Sequence, residues 1–323
     1  MDGEEDGPVS QTEKREKSKS TGLRKEWKNN YPLFLMIAPI CILTIVLMYL
    51  PMSGLLLAFK DYHYNMGIFG SPWSGLDNFR FFFISGKGLQ VTLNTIVYNT
   101  INTITSQGLA ILLAIIISEM TAKRFTRVTQ SLVFLPYFIS WIIVGTFVYN
   151  IFNFETGALN NFLKAIGAQP VNVYSMPGVW KWIIMAFNSW KWAGYNSVIY
   201  IAAINNVDPQ CIEAADIDGA NIWQRIAHIT IPEIKPTISI MLLMQVGRIL
   251  RGDFQMFYQI IGNNGQLFNA TDVIDTFVFR SLTTSGDLGM TSAATLYQSV
   301  LCFIIITIVN ARVRKADEES ALF

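Results

Sequence analysis

The stretch EAADIDGANIWQRIAHITIP, residues 213–232, is polar and turn-rich in a chain that is otherwise strongly apolar. Just before it, Asp208 and Pro209 combine a side chain that caps a helix with a proline at the first helical position, which predicts a helix start. Gly219 follows an aspartate and predicts a turn, because glycine adopts positive φ angles without strain. We therefore expect a polar loop over residues 208–236 in which a turn separates two short helices.

The second short helix is predicted to begin at Asn221, whose side chain can cap it, and to extend through His228. Pro232 and Pro236 are expected to end it, because proline removes a backbone donor and clashes with the preceding turn. Helices of this length are marginal in isolation and need a surface to pack against. From the residues alone, that surface could belong to the chain's own helical bundle or to a second protein.

The composition indicates a membrane protein, since 51% of the residues are hydrophobic and the mean hydropathy is +0.35. A membrane-spanning helix needs about 20 mainly apolar residues, and several runs qualify. The first run is too long and too far from the N-terminus to be a cleavable signal peptide. The predicted fold class is an all-α membrane protein with six transmembrane helices, over residues 33–57, 91–118, 128–152, 181–204, 237–261 and 292–310. The fifth is the weakest of these, because it carries charges.

Basic residues are concentrated on one side of this arrangement. They precede the first predicted span, crowd the link between the second and third, and follow the last. By the positive-inside rule, both termini and the 208–236 loop should be cytoplasmic. Residues 1–30 mix both charges without apolar periodicity and are expected to be a flexible cytoplasmic segment. Residues 31–315 are then the membrane domain, and residues 316–323 a cytoplasmic tail.

Several function classes lack their sequence signatures. The chain contains no phosphate-binding Gly-x4-Gly-Lys-Ser/Thr loop and no HExxH zinc site, and its net charge of +1 gives no nucleic-acid footprint. We therefore expect a non-catalytic chain without metal or cofactor of its own. The alternative is a secondary transporter or channel that acts alone. Ion-coupling acids are nearly absent from the predicted spans, which disfavours that class.

The loop resembles the "EAA" loop of permease subunits of binding-protein-dependent ABC importers, and its extended form is similar to the carbohydrate-uptake branch. In that family the loop forms cytoplasmic coupling helices that sit in a cleft of the ATPase subunit. The resemblance implies a type I ABC importer permease fold. The residues it assigns to ATPase coupling are Glu213, Ala214, Ala215, Asp216, Asp218, Gly219, Ala220, Arg225 and Pro232.

Further motifs extend the resemblance over about residues 30–315, among them FLPYFIS at 134–140 and DVIDTFVFRSL at 272–282. The family implies a bacterial inner-membrane location and three kinds of partner: a second homologous permease, two ATP-binding cassette subunits that bind ATP and Mg, and a solute-binding protein that delivers an oligosaccharide. The pattern is similar to the larger maltose-transporter permease, but without that subunit's extra spans and large external domain. Contact with a binding protein is therefore expected from residues 58–90 or 262–291.

Two polar stripes suggest a path through the membrane. One lies on the second predicted span, at Thr95, Asn99, Asn102 and Ser106. The other lies on the fifth, at Gln245, Arg248, Gly252, Gln255 and Gln259, with Arg251 at its edge. Each stripe falls in one arc at helical spacing. Such stripes line a path or simply make interhelical hydrogen bonds, and both interpretations stay open here.

The arginines carry the most specific hypothesis. A guanidinium facing lipid at mid-membrane costs on the order of 3 kcal/mol on insertion scales, so Arg248 and Arg251 should face protein, water or ligand. Arginine binds carboxylates bidentately, which suggests an acidic, uronate-containing oligosaccharide. Trp190, Trp192 and Tyr195 are predicted near the outer end of the fourth span. They would stack on sugar rings or form an interfacial aromatic belt.

Overall fold

The computed structural model describes residues 30–84 and 86–316. Within these ranges every regular element is helical, and the only β-type pairing is an isolated bridge between Lys60 and Trp73. The α-helices are α1 Tyr31–Thr44, α2 Gly67–Gly70, α3 Asp77–Ile84, α4 Lys87–Ser118, α5 Lys123–Phe134, α6 Trp141–Phe152, α7 Ala158–Ala165, α8 Trp180–Asn205, α9 Pro209–Ile217, α10 Ile222–Arg225, α11 Ile231–Val246, α12 Phe254–Ile261, α13 Phe268–Thr271, α14 Ile274–Arg280 and α15 Leu288–Ala316. The predicted all-α class is confirmed.

The chain divides into a first unit that ends at Ser53 and a second unit that starts at Gly54. In the first unit, α1 is followed by the π-helical turn Ile45–Tyr49, and its large apolar side chains are exposed, as expected for a helix that faces lipid. The remaining helices belong to the second unit. The predicted flexible segment, apart from Asn30, and the predicted tail beyond Ala316 lie outside the described residues.

Four helical stretches are long and apolar enough to cross a membrane, namely Tyr31–Phe59, Lys87–Ser118, Ile222–Val246 and Leu288–Lys315. A fifth candidate is the pair of α5, extended through Phe138, and α6, which is bent by 91°. α8 matches the predicted fourth span in position and has 26 residues, but it is less apolar than these candidates. By length and composition the described residues therefore hold four candidate spans, or five if the bent pair is one span.

The predicted fifth span does not form the continuous helix expected over residues 237–261. α11 ends at Val246, and the backbone of residues 247–253 leaves the helical path before α12 starts at Phe254. The continuous span was therefore wrong, and so was a single-helix stripe from Gln245 to Gln259. Residues 247–253 are called the break below.

The expected helix end at Pro232 was also wrong. α10 runs through the π-helical turn Ile226–Thr230 directly into α11, and together they form the stretch Ile222–Val246. Pro232 and Pro236 both lie inside this continuous stretch, where each lacks the N–H that a helix interior uses. The loop over residues 208–236, called the predicted coupling loop below, is thus continuous with a candidate span.

α4 and α8 pack along one another and form the centre of the second unit. Ser189 of α8 donates to the Thr105 hydroxyl over 2.9 Å, and Tyr200 donates to the Gln107 side-chain oxygen over 2.8 Å. Buried alanines of α4, including Ala110 and Ala114, contact the same face of α8. Small residues and interhelical hydrogen bonds of this kind hold membrane helices together, because the hydrophobic effect does not drive helices to associate within lipid.

Candidate functional site

The break in the fifth span is held by side chains from other helices. Asn99 of α4 donates its amide N–H groups to the carbonyl oxygens of Ile249, at 2.7 Å, and Arg251, at 3.0 Å. Non-helical backbone at membrane depth is tolerated only where protein or water satisfies its polar groups. Asn99 thus makes the interhelical contact that one interpretation of its stripe predicted.

Two further side chains complete the support of the break. Gln298 of α15 donates to the Leu250 carbonyl over 2.6 Å, and Asp275 of α14 accepts from the Gly252 amide over 2.7 Å. Gln298 and Asp275 also bind each other at 3.2 Å. Gly252 allows this close approach, since a Cβ there would lie 3.1 Å from both the Asp275 carboxylate and Val273. Helices α4, α14 and α15 therefore fix the geometry of the break.

Asp253 and Trp141 connect the break to the bent third span. Asp253 caps α12 by accepting from the Met256 amide at 3.1 Å, and its other oxygen accepts from the Trp141 indole N–H at 2.8 Å. Both carboxylate oxygens of Asp253 are thus engaged by groups other than the arginines. Among the described residues, neither Arg248 nor Arg251 makes an ion pair within 4.0 Å.

Lys191 of α8 is buried and holds the bend of the third span. Its ammonium group donates to the carbonyl oxygens of Tyr137, at 3.0 Å, and Ile139, and lies 5.2 Å from the Trp141 ring centre. These carbonyls belong to the turn where α5 gives way to α6. Sequence reasoning missed Lys191, although a lone lysine between two tryptophans in a predicted span signals a buried polar site.

The aromatic residues of α8 lie in the middle of this 26-residue helix, so their expected position near its outer end was wrong. Tyr195 stacks on Tyr137 with ring centres 4.3 Å apart, and Trp192 meets Tyr137 edge-on at 5.5 Å. Trp190 and Tyr195 are partly exposed, at 41% and 37%. Trp192 and Tyr195 therefore pack against the turn between α5 and α6.

The two polar stripes have different outcomes. Thr95, Asn99, Asn102 and Ser106 do share one continuous helix, where Thr95 and Asn102 are buried and Thr95 accepts from the Ile274 amide at 2.9 Å. The second stripe is divided by the break, which leaves Gln245 on α11 and Gln255 on α12. Arg248, Arg251 and Gln255 are exposed on this chain, and Gln245 is half-buried.

A small cavity lies between α12 and α14. Its volume is about 150 Å³, and its wall includes Tyr258, Phe279, Asp272 and Arg280. Arg280 binds the buried Asp272 carboxylate and lies 3.9 Å from the ring centre of Phe268. The charges in this wall therefore neutralise each other, in contrast to the arginines at the break.

On the predicted cytoplasmic side, the helix starts of the predicted coupling loop are confirmed. Asp208 caps α9 by accepting from the Gln210 amide at 2.9 Å. Asn221 and Gln224 form a reciprocal capping box at the start of α10, with distances of 3.0 and 2.8 Å. Gly219 between them has φ of 74°, the left-handed conformation expected of the turn.

Arg225 ties this loop to a membrane helix. It donates to Asp216 in α9 at 2.6 Å and to Glu119, the C-cap of α4, at 2.9 Å. Ile217 and Trp223 are 86% and 76% exposed and present apolar surface on the same loop. The other residues assigned to coupling are exposed, namely Glu213, Ala214, Asp218, Gly219 and Pro232, or half-buried, namely Ala215 and Ala220.

Comparison with known proteins identifies this architecture. Residues 108–317 match the family model described as the binding-protein-dependent transport system inner membrane component. The chain belongs to this family. The match begins within α4 and runs through the predicted coupling loop, the break and the last helix. The resemblance that the EAA loop suggested is thereby confirmed.

Relatives within this transport family include carbohydrate permeases. The polygalacturonan/rhamnogalacturonan transport system permease protein YteP of Bacillus subtilis is 30% identical over 89% of both chains. Protein LplB of the same organism is 29% identical over 89% of this chain and 90% of its own length. The arabinooligosaccharides permease AraP of B. subtilis is 29% identical over 65% of this chain and 61% of its own.

A solved structure has the same fold. It is a chain of a bacterial ABC transporter involved in the import of the acidic polysaccharide alginate, with 32% identity and a TM-score of 0.83. The match covers 91% of this chain and 99% of that chain. A second structure of a bacterial alginate ABC transporter, in complex with an alginate pentasaccharide-bound periplasmic protein, matches with a TM-score of 0.82 at 31% identity over 91% and 98% of the two chains. The type I importer permease fold follows from this likeness.

Proposed function

We propose that this chain is the six-span permease subunit of an ATP-driven importer and forms part of the path for an acidic, uronate-containing oligosaccharide. Relatives alone do not decide the charge of the substrate. Three of those described carry alginate or polygalacturonan in their names, and another carries arabinooligosaccharides. The choice between them rests on side chains at the break.

The exposed guanidinium groups of Arg248 and Arg251 are the observation that carries the proposal. Both extend from a backbone that Asn99 and Gln298 hold in place, and both lie at the surface of this chain. An arginine facing lipid costs on the order of 3 kcal/mol, which a path holding water and carboxylates would avoid. Planar guanidinium groups match carboxylates bidentately.

Neighbouring groups suit the rest of a sugar chain. The amides of Gln245 and Gln255 flank the break and can both donate to and accept from hydroxyl groups. Rings that stack on Tyr137, above all Tyr195, offer apolar faces for pyranose rings. Asn102 also belongs to this proposed path, through its position on the face of α4 that carries Asn99.

Six spans require two additions to the four stretches that pass by length and composition, namely the bent pair of α5 and α6, and α8. α8 has 26 residues and would be roughly 39 Å long, which exceeds a hydrocarbon core of about 30 Å. α11 and α12 would together form one span that is interrupted at the break. An even number of spans puts both termini on one side, and the distribution of basic residues makes that side the cytoplasm.

The partners follow from the proposed role. A second homologous permease would complete the path, and a solute-binding protein would deliver the oligosaccharide. Two ATP-binding cassette subunits would bind ATP and Mg and receive the predicted coupling loop, whose exposed Ile217 and Trp223 suit a protein surface. ATP binding would move the loop and alternate access, while this chain performs no chemistry and needs no cofactor. A stand-alone secondary transporter is disfavoured by membership of the family.

The test is uptake by the complete transporter in vesicles. We expect Arg248→Gln to reduce uptake of an oligogalacturonate about tenfold, or about 1.4 kcal/mol, and to leave a neutral oligosaccharide of similar length unaffected. Arg124→Gln, in the exposed first turn of α5, is the control. Equal loss of both substrates, or intact uptake of the acidic one, contradicts the acidic substrate.

A further inference from the structure

The direct connection from the predicted coupling loop to the break contains a weak segment. Between Arg225 and the regular part of α11, the chain passes through the π-helical turn Ile226–Thr230 and then through Pro232 and Pro236. Proline inside a helix removes a backbone hydrogen bond, and π turns interrupt the regular ladder. Helices bend at such places. Motion of the loop could therefore be absorbed here before it reaches the break.

A second connection bypasses this segment. Arg225 lies just before the π turn and binds Glu119 at the end of α4 over 2.9 Å. A carboxylate at a helix C-terminus is opposed by the negative end of the helix dipole, so Glu119 depends on a nearby cation. The two side chains are 22% and 26% exposed, which limits screening by solvent. Arg225 also binds Asp216 at 2.6 Å, so it is attached to α9 as well.

α4, whose C-cap Glu119 binds Arg225, is a stiff helix. α4 runs for 32 residues without a proline, which corresponds to roughly 48 Å of continuous helix. The hydrogen bonds from Ser189 to Thr105 and from Tyr200 to Gln107 brace its middle against α8. No π turn or other irregularity interrupts it. It can therefore transmit displacement along its length with little bending.

α4 also contacts the break. Asn99, on the same helix as the Glu119 cap, holds the carbonyl oxygens of Ile249 and Arg251. α4 is thus joined to Arg225 at its C-terminal end and, through Asn99, to the break that follows the stretch Ile222–Val246. A displacement of Arg225 can therefore reach the break through α4 without passing along that stretch.

We propose that the Arg225–Glu119 ion pair makes α4 a second strut, which carries the motion of the predicted coupling loop past the proline-containing segment to the break. The inference rests on the proposed function, since it assumes that an ATPase moves the loop. Arg225 and Glu119 act as positioning residues, because the structure gives them no role in holding the sugar. Asn99 is the residue through which α4 passes this motion to the break.

The first experiment uses the complete transporter in vesicles, with ATP hydrolysis and sugar uptake measured together. Glu119→Gln should leave basal hydrolysis unchanged and lower the stimulation by loaded binding protein about two- to fivefold, the range that a partly exposed ion pair supports. ATP consumed per sugar should rise. Arg225→Lys keeps the charge and should retain most of the stimulation. Glu233→Gln, which neutralises an exposed acid of α11 that makes no ion pair with a described residue, is the matched control and should have little effect.

A double-mutant cycle distinguishes a strut from two local supports. Glu119 and Asn99 are separated along α4 by roughly 30 Å, and mutations that far apart are normally additive. If α4 carries the signal, Asn99→Ala added to Glu119→Gln should reduce stimulation little further. Additive losses, or a Glu233→Gln defect as large as that of Glu119→Gln, would overturn the strut. A wild-type complex that shows no stimulated hydrolysis would instead refute the proposed function itself.

Discussion

Trp141 donates its indole N–H to the Asp253 carboxylate over 2.8 Å, and this bond joins the N-terminal ends of α6 and α12. Trp141 is the first residue of α6, and Asp253 caps α12. The two helices also pack closely, since a Cβ on Gly145 would collide with the Gln259 backbone. The bent third span and the broken fifth span therefore meet at one point, beside Lys191.

Lys191 should be essential for the stability of this meeting point. We expect Lys191→Met to lower the free energy of unfolding by about 2–4 kcal/mol, because it leaves buried carbonyl groups without a donor. Thermal unfolding of the complex in detergent measures the effect. Lys181→Met is the matched control, since Lys181 lies on the same helix but is exposed. Equal stability of the two variants would contradict the role given to Lys191.

Gly194 should tolerate no side chain. A Cβ there would collide with the Val133 carbonyl where α8 crosses α5, so Gly194→Ala should destabilise the protein by about 1–3 kcal/mol or prevent assembly. Gly108 is also inside a helix, but nothing lies within 4 Å of its Cβ position. Gly108→Ala should therefore be neutral or stabilise by up to about 1 kcal/mol. The yield and melting temperature of both variants in detergent provide the comparison, and similar losses would refute the close crossing.

Gly219 should be required for coupling rather than for insertion. Proline fixes φ near −65°, whereas Gly219 has φ of 74°, so Gly219→Pro must distort the turn between α9 and α10. We expect insertion to persist, transport to be abolished, and hydrolysis to lose its response to loaded binding protein. Gly167→Pro is the control, because Gly167 has φ of 77° in a different loop. Unchanged transport by the Gly219 variant would count against the coupling role.

The purified chain alone should not hydrolyse ATP, because its sequence contains no phosphate-binding loop. Phosphate release should appear only after the ATP-binding cassette subunits are added. Mutation of the phosphate loop in those subunits should abolish it, which excludes a contaminating hydrolase. Steady hydrolysis that survives removal of every partner would overturn the assignment of ATP to the partners.

Local signals in the sequence were accurate where the structure depends on neighbouring residues. Asp208, Gly219 and Asn221 act within four residues of their own positions, so their caps and turn could be predicted. The 91° bend and the break could not. Each is stabilised by a side chain distant in sequence, Lys191 in one case and Asn99 in the other. Periodicity treats each span by itself and carries no information about such partners.

The same limit explains why the prediction of a single-helix stripe from Gln245 to Gln259 was wrong. Its spacing agrees with a helix, yet Gly247 and Gly252 lie where the helix ends and where backbone approaches Asp275. Glycine in a predicted membrane helix is common and gave no signal of a break. The identity of the residues around the arginines was therefore predictable, but their arrangement was not.

The break also has a consequence for biosynthesis. Its Leu250 carbonyl and Gly252 amide find their partners in Gln298 and Asp275, which are synthesised after the break itself. A nascent chain that has inserted only as far as α12 therefore holds unsatisfied peptide groups within the bilayer, where each costs several kcal/mol. The last helix completes the fifth span, and a chain truncated before it should be a substrate for membrane proteolysis.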